Sequence, residues 1–280
     1  MLTSPSRTLR NVGSDAAFLC YHSIAPDGPP FLSLTPERFR EHLGVLRARR
    51  WTTGGETELA ELAAGRRASR PTAFLTFDDG YLDTYEQAFP LLREFGMRAF
   101  VFILPQRVDD GGELRWDGVE GDCDRYPQVM RSMTWPMAEE MAAHGVVIGS
   151  HTLSHPHLDR IGDEQLRDEL VDSRRQIADR LGSCDSLAYP YGHWDARVHA
   201  AARAAGYSWA FTIPRAGQAT ADALSIPRIP VDHRDDARRF GAKLHAPVRA
   251  LLLSHTAGSA ARRARDAAVA LQRRVPGSTR

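Results

Sequence analysis

The 280-residue chain has only three cysteines, a single lysine and no hydrophobic run long enough to cross a membrane. Cys20, Cys123 and Cys184 are odd in number and form no C-x-x-C pair. This pattern argues against a disulfide framework and against a cysteine-based zinc site, so we expect buried thiols. The formal net charge is only +1, and the whole-chain balance therefore gives no reason to expect a nucleic-acid partner.

The composition of the whole chain is that of a globular protein, with 42% hydrophobic and 25% charged residues. It excludes disorder of the whole chain. Residues 1–15 are polar and rich in serine and arginine, without the apolar segment of roughly 7–15 residues found in a secretory signal. We therefore expect a cytoplasmic protein, or one whose leader is absent from this chain.

Charge is distributed unevenly along the sequence. Residues 236–280 hold ten basic and two acidic residues, whereas residues 1–235 hold 26 basic and 33 acidic ones. We expect residues 1–235 to form one catalytic domain and residues 236–280 to form a basic, helical C-terminal extension. The segment 257–274 predicts a basic amphipathic helix, which could be a solvated face, pack on the acidic body or contact an anionic membrane surface peripherally.

Short apolar runs alternate with helical patterns, which favours a parallel sheet covered by helices. Six or seven strand–helix units predict an α/β fold, a distorted (β/α)7-type barrel, with an open doubly wound sheet as the alternative. In both folds the loops after the carboxyl ends of the strands carry the functional site. The predicted strands cover residues 17–21, 72–77, 98–104, 146–150, 187–189 and 209–212, and residues 105–132 are expected to form a long loop or insertion.

Two adjacent carboxylates follow the predicted strand 72–77, at Asp78 and Asp79, and Gly80 permits a sharp turn after them. Neighbouring side chains of an extended segment point to opposite sides, so one carboxylate can bind a metal while the other faces water or substrate. The alternatives are an ordinary Asp-Gly turn and a phosphatase-type aspartate nucleophile. The phosphatase arrangement usually separates its acids by one residue and needs a suitable lysine, and Lys243 is the only lysine in the chain.

A histidine pair follows the predicted strand 146–150. His151 and His155 are four residues apart, and on a helical turn both imidazoles would share one face and one metal ion. Thr152 occupies the position where the zinc-protease pattern H-E-x-x-H has its glutamate, so that class of site is disfavoured. A surface histidine cluster is the alternative. Two histidines and one carboxylate would form a three-ligand set that leaves positions open for water and substrate.

Three segments then resemble the motif series of the polysaccharide deacetylases, the NodB-homology group or carbohydrate esterase family 4. They are TFDDG at 76–80, HTLSH at 151–155 and YPYG at 189–192. YHSI at 21–24 and GSHT at 149–152 resemble the branch that deacetylates poly-N-acetylglucosamine. The resemblance covers about residues 17–230. It implies a distorted barrel and one divalent metal ion, zinc first and cobalt, nickel, manganese or iron as alternatives, held by Asp79, His151 and His155.

The same resemblance implies the chemistry, which is hydrolysis of an N-acetyl group on an amino sugar with release of acetate. It implies that Asp78 is the general base and that the backbone N–H of Tyr191 stabilises the oxyanion. Pro190 and Tyr191, on one turn, are implied substrate contacts.

The chain departs from the family pattern in two places. The motif arginine that orients the base corresponds to Ala188, and Arg228 is the candidate that replaces it or contacts substrate. A late histidine that serves as general acid in the family has a sequence match in His255, which lies in the basic tail. His233, a water molecule or protonated Asp78 are the alternative proton donors.

We therefore expect a metal-dependent deacetylase acting on an N-acetylated glycan or glycoconjugate, with no nucleic-acid partner. One alternative keeps the fold and the metal but uses a small amide, an imide or a formamido sugar. Another is an inactive sugar-binding module, because the motif arginine is missing and the general acid is undecided.

Overall fold

The computed structural model of the protein describes residues 15–66, 68–109, 111–214 and 222–253, which form a sheet of parallel strands surrounded by helices. A π-helical turn covers Thr84–Ala88, and 3-10 turns cover Leu158–Arg160 and Pro190–Gly192. The strands are β1 (Ala16–Tyr21), β2 (Ser23–Ile24), β3 (Ser33–Leu34), β4 (Thr52–Thr53), β5 (Thr72–Phe77), β6 (Phe100–Ile103), β7 (Val147–Ser150), β8 (Ser186–Ala188), β9 (Trp209–Thr212), β10 (Ile226–Pro227) and β11 (Ile229–Pro230). The helices are α1 (Pro36–Ala48), α2 (Glu56–Ala63), α3 (Phe89–Phe95), α4 (Pro105–Val108), α5 (Glu120–Arg125), α6 (Trp135–Ala143), α7 (Asp163–Leu181), α8 (Ala196–Ala204), α9 (Ala237–Lys243) and α10 (Ala246–Leu253).

The main sheet curls into a nearly closed barrel. Its strand order is β10-β9-β8-β7-β6-β5-β1-β11, with every pair parallel and β4 added beside β5. Only Arg228 separates β10, which pairs with β9, from β11, which pairs with β1. The five-residue segment 226–230 therefore bridges the two edges of the sheet. In the described residues the barrel wall has seven strand positions, because β10 and β11 together occupy one of them. This confirms the predicted distorted (β/α)7-type fold.

Phenylalanine side chains fill the interior of the barrel, because alternate residues of each strand point inward. Phe18 and Phe74 stack with their ring centroids 4.6 Å apart, and Phe102 lies 5.3 Å from Phe211. Gly149 leaves room for this packing, since a Cβ atom there would lie 2.7 Å from the Phe102 ring. The barrel is therefore a packed core rather than a pore, and any chemistry belongs at its rim.

The outward-facing residues of the same strands pack beneath helices. Helix α1 begins where expected, with the Thr35 hydroxyl accepting a hydrogen bond from the Arg38 N–H at 3.3 Å and a proline at the first position. Phe39, Leu43 and Leu46 follow at helical spacing and are completely buried. This helix in turn supports the C-terminal part of the described chain, because the His42 ring stacks on Phe240 of α9 at 4.0 Å.

Residues 105–132 form two short helices and connecting turns near the carboxyl ends of the strands. The three cysteines are free and buried, as expected. Among the residues that the structure describes, no helix has both the length and the apolar character needed to span a bilayer. The predicted amphipathic helix 257–274 and His255 lie outside the described residues.

Candidate active site and metal centre

The predicted site residues come together at the carboxyl rim of the barrel. Asp78 and Asp79 directly follow β5, and His151 directly follows β7. Tyr191 lies in the turn after β8, and Arg228 occupies the seam between β10 and β11. Parallel strands thus deliver residues from distant parts of the sequence to one edge, as the fold prediction required.

Asp79, His151 and His155 form a compact, buried three-donor set. The Oδ1 atom of Asp79 lies 3.2 Å from Nε2 of His151 and 3.4 Å from Nε2 of His155, with all three side chains at most 5% exposed. Ligands of one tetrahedral zinc ion, at bonds of about 2.0–2.1 Å, are separated by about 3.4 Å. Both distances from the carboxylate to the imidazoles therefore match those between ligands of a single ion, and all three donor atoms lie within 4.8 Å of one another.

Hydrogen bonding and charge at this set also fit a cation. Nδ1 of His151 donates to the carbonyl of Ala188 at 2.8 Å, so a neutral ring directs its Nε2 lone pair towards Asp79. Oδ1 of Asp79 is buried and has no hydrogen-bond partner among the described residues. A carboxylate oxygen and imidazole lone pairs that converge in a dry site repel one another unless positive charge lies between them.

The pKa values of the two histidines shift in opposite directions. Burial lowers the pKa of His155 to about 3, although the Asp79 charge acts in the other direction. Burial also acts against a charged His151, but the charges of Asp78 and Asp79 outweigh it and raise its pKa. The pocket beside the two aspartates therefore favours positive charge, and His155 offers a neutral ring of the kind that binds metals.

The histidines lie in an irregular turn, not on the helical turn that their spacing suggested. Thr152 and His155 both adopt φ 70, which a right-handed helix forbids, so the helical interpretation is wrong. Asp79 and Tyr191 also have positive φ, at 72 and 58. Four of the five non-glycine residues with positive φ in the described chain thus lie at this site, where backbone strain is held by the surrounding contacts.

The contacts that hold the histidine turn come largely from one carboxylate of helix α7. Glu169 accepts hydrogen bonds from the backbone N–H groups of Leu153 and Ser154 at 2.8 and 2.9 Å. Its other oxygen accepts the Ser154 hydroxyl at 2.5 Å. Sequence reasoning missed Glu169, because an acidic residue in a charged amphipathic helix looks like part of the solvated face.

Arg228 is the cation that contacts Asp78. Its guanidinium donates to both carboxylate oxygens, at 2.6 and 2.7 Å, and both side chains are buried. Burial alone would raise the pKa of Asp78, but the charge and hydrogen bonds of Arg228, with the nearby His151, hold it well below the usual range. Arg228 is 0% exposed, so it can reach a substrate only through Asp78.

The turn that begins at Pro190 forms one wall beside the metal-ligand set. The Tyr191 ring meets the edge of His155 at 4.6 Å, and its hydroxyl donates to the carbonyl of Asp117 at 2.9 Å. Trp116, in the segment 105–132, lies 4.2 Å from the His155 ring. The long segment therefore helps to enclose the site, which explains its length in functional terms.

His22 is a second residue that sequence reasoning left without a role. It follows β1 at the same rim, and its ring, the Cys20 sulfur and an Asp78 oxygen offer donor atoms within 4.8 Å of one another. Its position after a predicted strand was the signal that could have identified it. His233, an alternative proton donor, is exposed and donates to the carbonyl of Pro30.

A model of the family described as polysaccharide deacetylase matches residues 65–210, slightly more than half of the chain. The chain belongs to the polysaccharide deacetylase family. The predicted family is therefore confirmed, and with it the assignment to the carbohydrate deacetylase class of hydrolases.

Individual relatives of this deacetylase are distant. A Bacillus subtilis protein named "Putative polysaccharide deacetylase YxkH" is 26% identical over 231 residues, covering 81% of this chain and 75% of that protein. A Bacillus cereus peptidoglycan-N-acetylglucosamine deacetylase is 25% identical over 145 residues, covering 51% of this chain and 44% of that protein.

Solved structures share the fold of this deacetylase. The Streptococcus pyogenes deacetylase PplD, in complex with acetate, superposes with a TM-score of 0.68 at 20% identity, covering 80% of this chain and 95% of that one. IcaB from Ammonifex degensii gives a TM-score of 0.67 at 23% identity, covering 83% and 97%. These identities support a shared architecture rather than a shared substrate.

Proposed function

We propose that this deacetylase hydrolyses the N-acetyl group of an N-acetylated amino sugar in a glycan or glycoconjugate and releases acetate. The observation that carries the proposal is the Asp79–His151–His155 donor set beside an Asp78 carboxylate that Arg228 clamps. The name of the Bacillus cereus relative, a peptidoglycan-N-acetylglucosamine deacetylase, supports the choice of substrate class.

Asp79, His151 and His155 are the proposed ligands of one divalent metal ion, with zinc as the first candidate. Such an ion, when bound, supplies Lewis-acid polarisation of the scissile carbonyl and lowers the pKa of a water. The Ala188 carbonyl fixes the ring of His151, and Glu169 fixes the turn that carries His155. These outer contacts keep both imidazole nitrogens directed towards Asp79.

Asp78 is the proposed general base, which accepts the proton of the attacking water. Its two hydrogen bonds to Arg228 keep the carboxylate ionised and fix its orientation, the role that an arginine at position 188 would otherwise fill. The backbone N–H of Tyr191 is the proposed donor to the oxyanion that develops on the carbonyl oxygen. Pro190 and Tyr191 form the adjoining substrate wall.

His22 is the proposed donor of the proton that the departing amine requires. His22 lies beside Asp78 and Cys20, and it is not assigned to the metal-ligand set. Its electrostatic interaction with Asp78 is among those that lower the pKa of that carboxyl, which supports its location at the reacting centre.

Acetate release from chito-oligosaccharides, measured together with the metal content of the purified protein, tests this proposal. We expect one equivalent of metal at the Asp79 site and measurable acetate release. Asp78→Asn should lower kcat by roughly 10²–10⁴-fold with the Asp79-site metal retained, because it removes the base and leaves the ligands. The matched control is Asp185→Asn, which alters another Asp–Arg pair at the amino end of β8, opposite the site.

Three results would contradict parts of the proposal. Full activity of Asp78→Asn would remove that residue from its role as base. Metal without acetate release would indicate a small amide, imide or formamido sugar as substrate. Absence of metal at the Asp79 site would favour a sugar-binding module without catalysis.

A further inference from the structure

A further cluster of potential metal ligands lies beside Tyr191, separate from the two donor groups described above. His157, Asp159 and His193 each offer one donor atom, and these atoms lie within 4.8 Å of one another. Nδ1 of His193 is 3.7 Å from Oδ2 of Asp159, close to the separation of about 3.4 Å expected for two ligands of one zinc ion. None of the three has a part in the proposed hydrolysis.

The composition and exposure of the cluster suit a bound cation. Two imidazoles and one carboxylate are donors that zinc and related transition-metal ions accept. The side chains of His157, Asp159 and His193 are 18%, 25% and 11% exposed. An ion can therefore enter from solvent and keep a water ligand, while the three donors remain largely desolvated.

Nearby charges do not oppose a cation. The Asp117 carboxylate lies 3.9 Å from Nε2 of His157, but its side chain is 82% exposed, so water screens its charge. Arg197, which donates to the carbonyl of Leu158, is itself paired with Asp163 at 3.0 Å. Arg160 in the same turn is exposed, so water screens its charge.

The cluster connects two segments that shape the active site. His157 and Asp159 follow the turn that carries His155, and His193 follows the turn that carries Tyr191. The His157 ring is stacked on the Tyr191 ring at 3.7 Å, with only 10° between their planes. A cation shared by both segments would therefore hold the Tyr191 ring against its neighbour.

We propose that His157, Asp159 and His193 form a second site for a divalent cation of the zinc type, which ties the Tyr191 turn to the segment after His155. The site is separate from the Asp79 set and shares no ligand with it. The competing explanation is a hydrogen-bonded polar cluster that holds the two turns together without an ion.

Zinc titration of the metal-free, full-length protein distinguishes the two explanations. A chromophoric chelator reports free zinc, and elemental analysis after gel filtration reports bound zinc per chain. We expect two equivalents in the wild-type protein and one in His193→Asn. We also expect one in the double variant Asp79→Ala/His151→Ala, which removes two of the three ligands of the Asp79 site and leaves His157, Asp159 and His193 in place. His199→Asn, the matched control, removes a histidine that pairs with Asp222 at 2.9 Å without a second imidazole, and should keep two.

The proposal is overturned if the wild-type protein binds one equivalent and Asp79→Ala/His151→Ala binds none. It is also overturned if His193→Asn binds as much zinc as the wild-type protein. Circular dichroism establishes that each variant folds, and Asp79→Asn is the milder substitute if the double variant does not. Because the readout is stoichiometry, this result does not depend on whether the protein deacetylates an amino sugar.

Discussion

The Asp78–Arg228 pair is the contact that most separates this site from a simple set of metal ligands. Both groups are charged and buried, and the bidentate geometry satisfies them mutually. Removing one partner leaves the other charge buried and uncompensated, which destabilises the fold. Removing both partners can destabilise it much less. The pair therefore makes the stability of the fold depend on a residue assigned to chemistry.

We predict that Arg228→Met lowers the free energy of unfolding by about 3–5 kcal/mol, and that Asp78→Asn/Arg228→Met recovers part of that loss. Urea unfolding of the two single variants and the double variant measures the coupling. Arg174→Met, which breaks the half-exposed pair with Asp185, should cost about 1 kcal/mol or less. Additive effects of the two buried substitutions would show that the pair is not coupled.

The proton donor can be identified by comparing two histidines. We predict that His22→Gln lowers kcat by roughly 10²-fold or more with the Asp79-site metal retained, because the departing amine loses its acid. His255→Gln should leave kcat unchanged. The opposite result, an inactive His255→Gln and an active His22→Gln, would assign the acid to the late histidine that matches the family pattern.

At the scale of elements, helix α7 contributes to the site by holding the turn that carries the proposed ligands. Glu169 satisfies two backbone N–H groups in the turn between the proposed ligands His151 and His155. Since this turn has positive φ at two residues, its conformation needs such external support. The helix thereby limits how far the His155 ring can move from Asp79.

We predict that Glu169→Gln raises by about 10–100-fold the zinc concentration that restores half-maximal deacetylase activity to the metal-free enzyme. A glutamine keeps the shape of the side chain but presents one acceptor oxygen instead of two. Glu164→Gln, an exposed change on the same helix, should leave that concentration unaltered. Equal behaviour of the two variants would mean that Glu169 supports the fold alone.

The elements explain what the sequence could and could not predict. Strand β5 and its two aspartates were predictable, because an apolar run ending in Asp-Asp-Gly combines a buried strand with a turn. The role of Arg228 was proposed only as one candidate, since β10 and β11 are two residues long and carry no periodic signal. Glu169 and His22 act through turn and rim geometry, which neither composition nor spacing encodes.

At the scale of the whole molecule, His42 connects the barrel to the C-terminal helices. Its Nε2 donates to the carbonyl of Asp235 at 2.7 Å, and its ring stacks on Phe240. Burial lowers the pKa of His42 to about 4, from an ordinary value of 6.5, although the Asp235 carbonyl acts in the other direction. The folded state therefore holds this histidine neutral.

The sign of the resulting pH dependence follows from that lowered pKa. The unfolded chain binds a proton at His42 below pH 6.5, and the folded chain does so only near pH 4, so stability falls as the pH drops between these values. We predict that, between pH 7 and pH 5, the free energy of unfolding of the wild-type protein falls by about 2 kcal/mol more than that of His42→Gln.

Urea unfolding at the two pH values measures this difference. His144→Gln, at an exposed histidine that also donates to a backbone carbonyl, serves as the control and should lose as much as wild type. Equal losses in wild type and His42→Gln would contradict the prediction.

The seam at Arg228 also has a consequence for the order in which the enzyme matures on the ribosome. All three proposed ligands of the Asp79 site have been synthesised by residue 155, whereas the partner of Asp78 follows 150 residues after that aspartate. Residues 226–230, which include this arginine, pair with β9 through β10 and with β1 through β11, and so connect the two edges of the sheet. A nascent chain can thus bring the three ligands of the Asp79 site together early. The base Asp78 gains its Arg228 partner only when translation has passed residue 228 and the barrel can close.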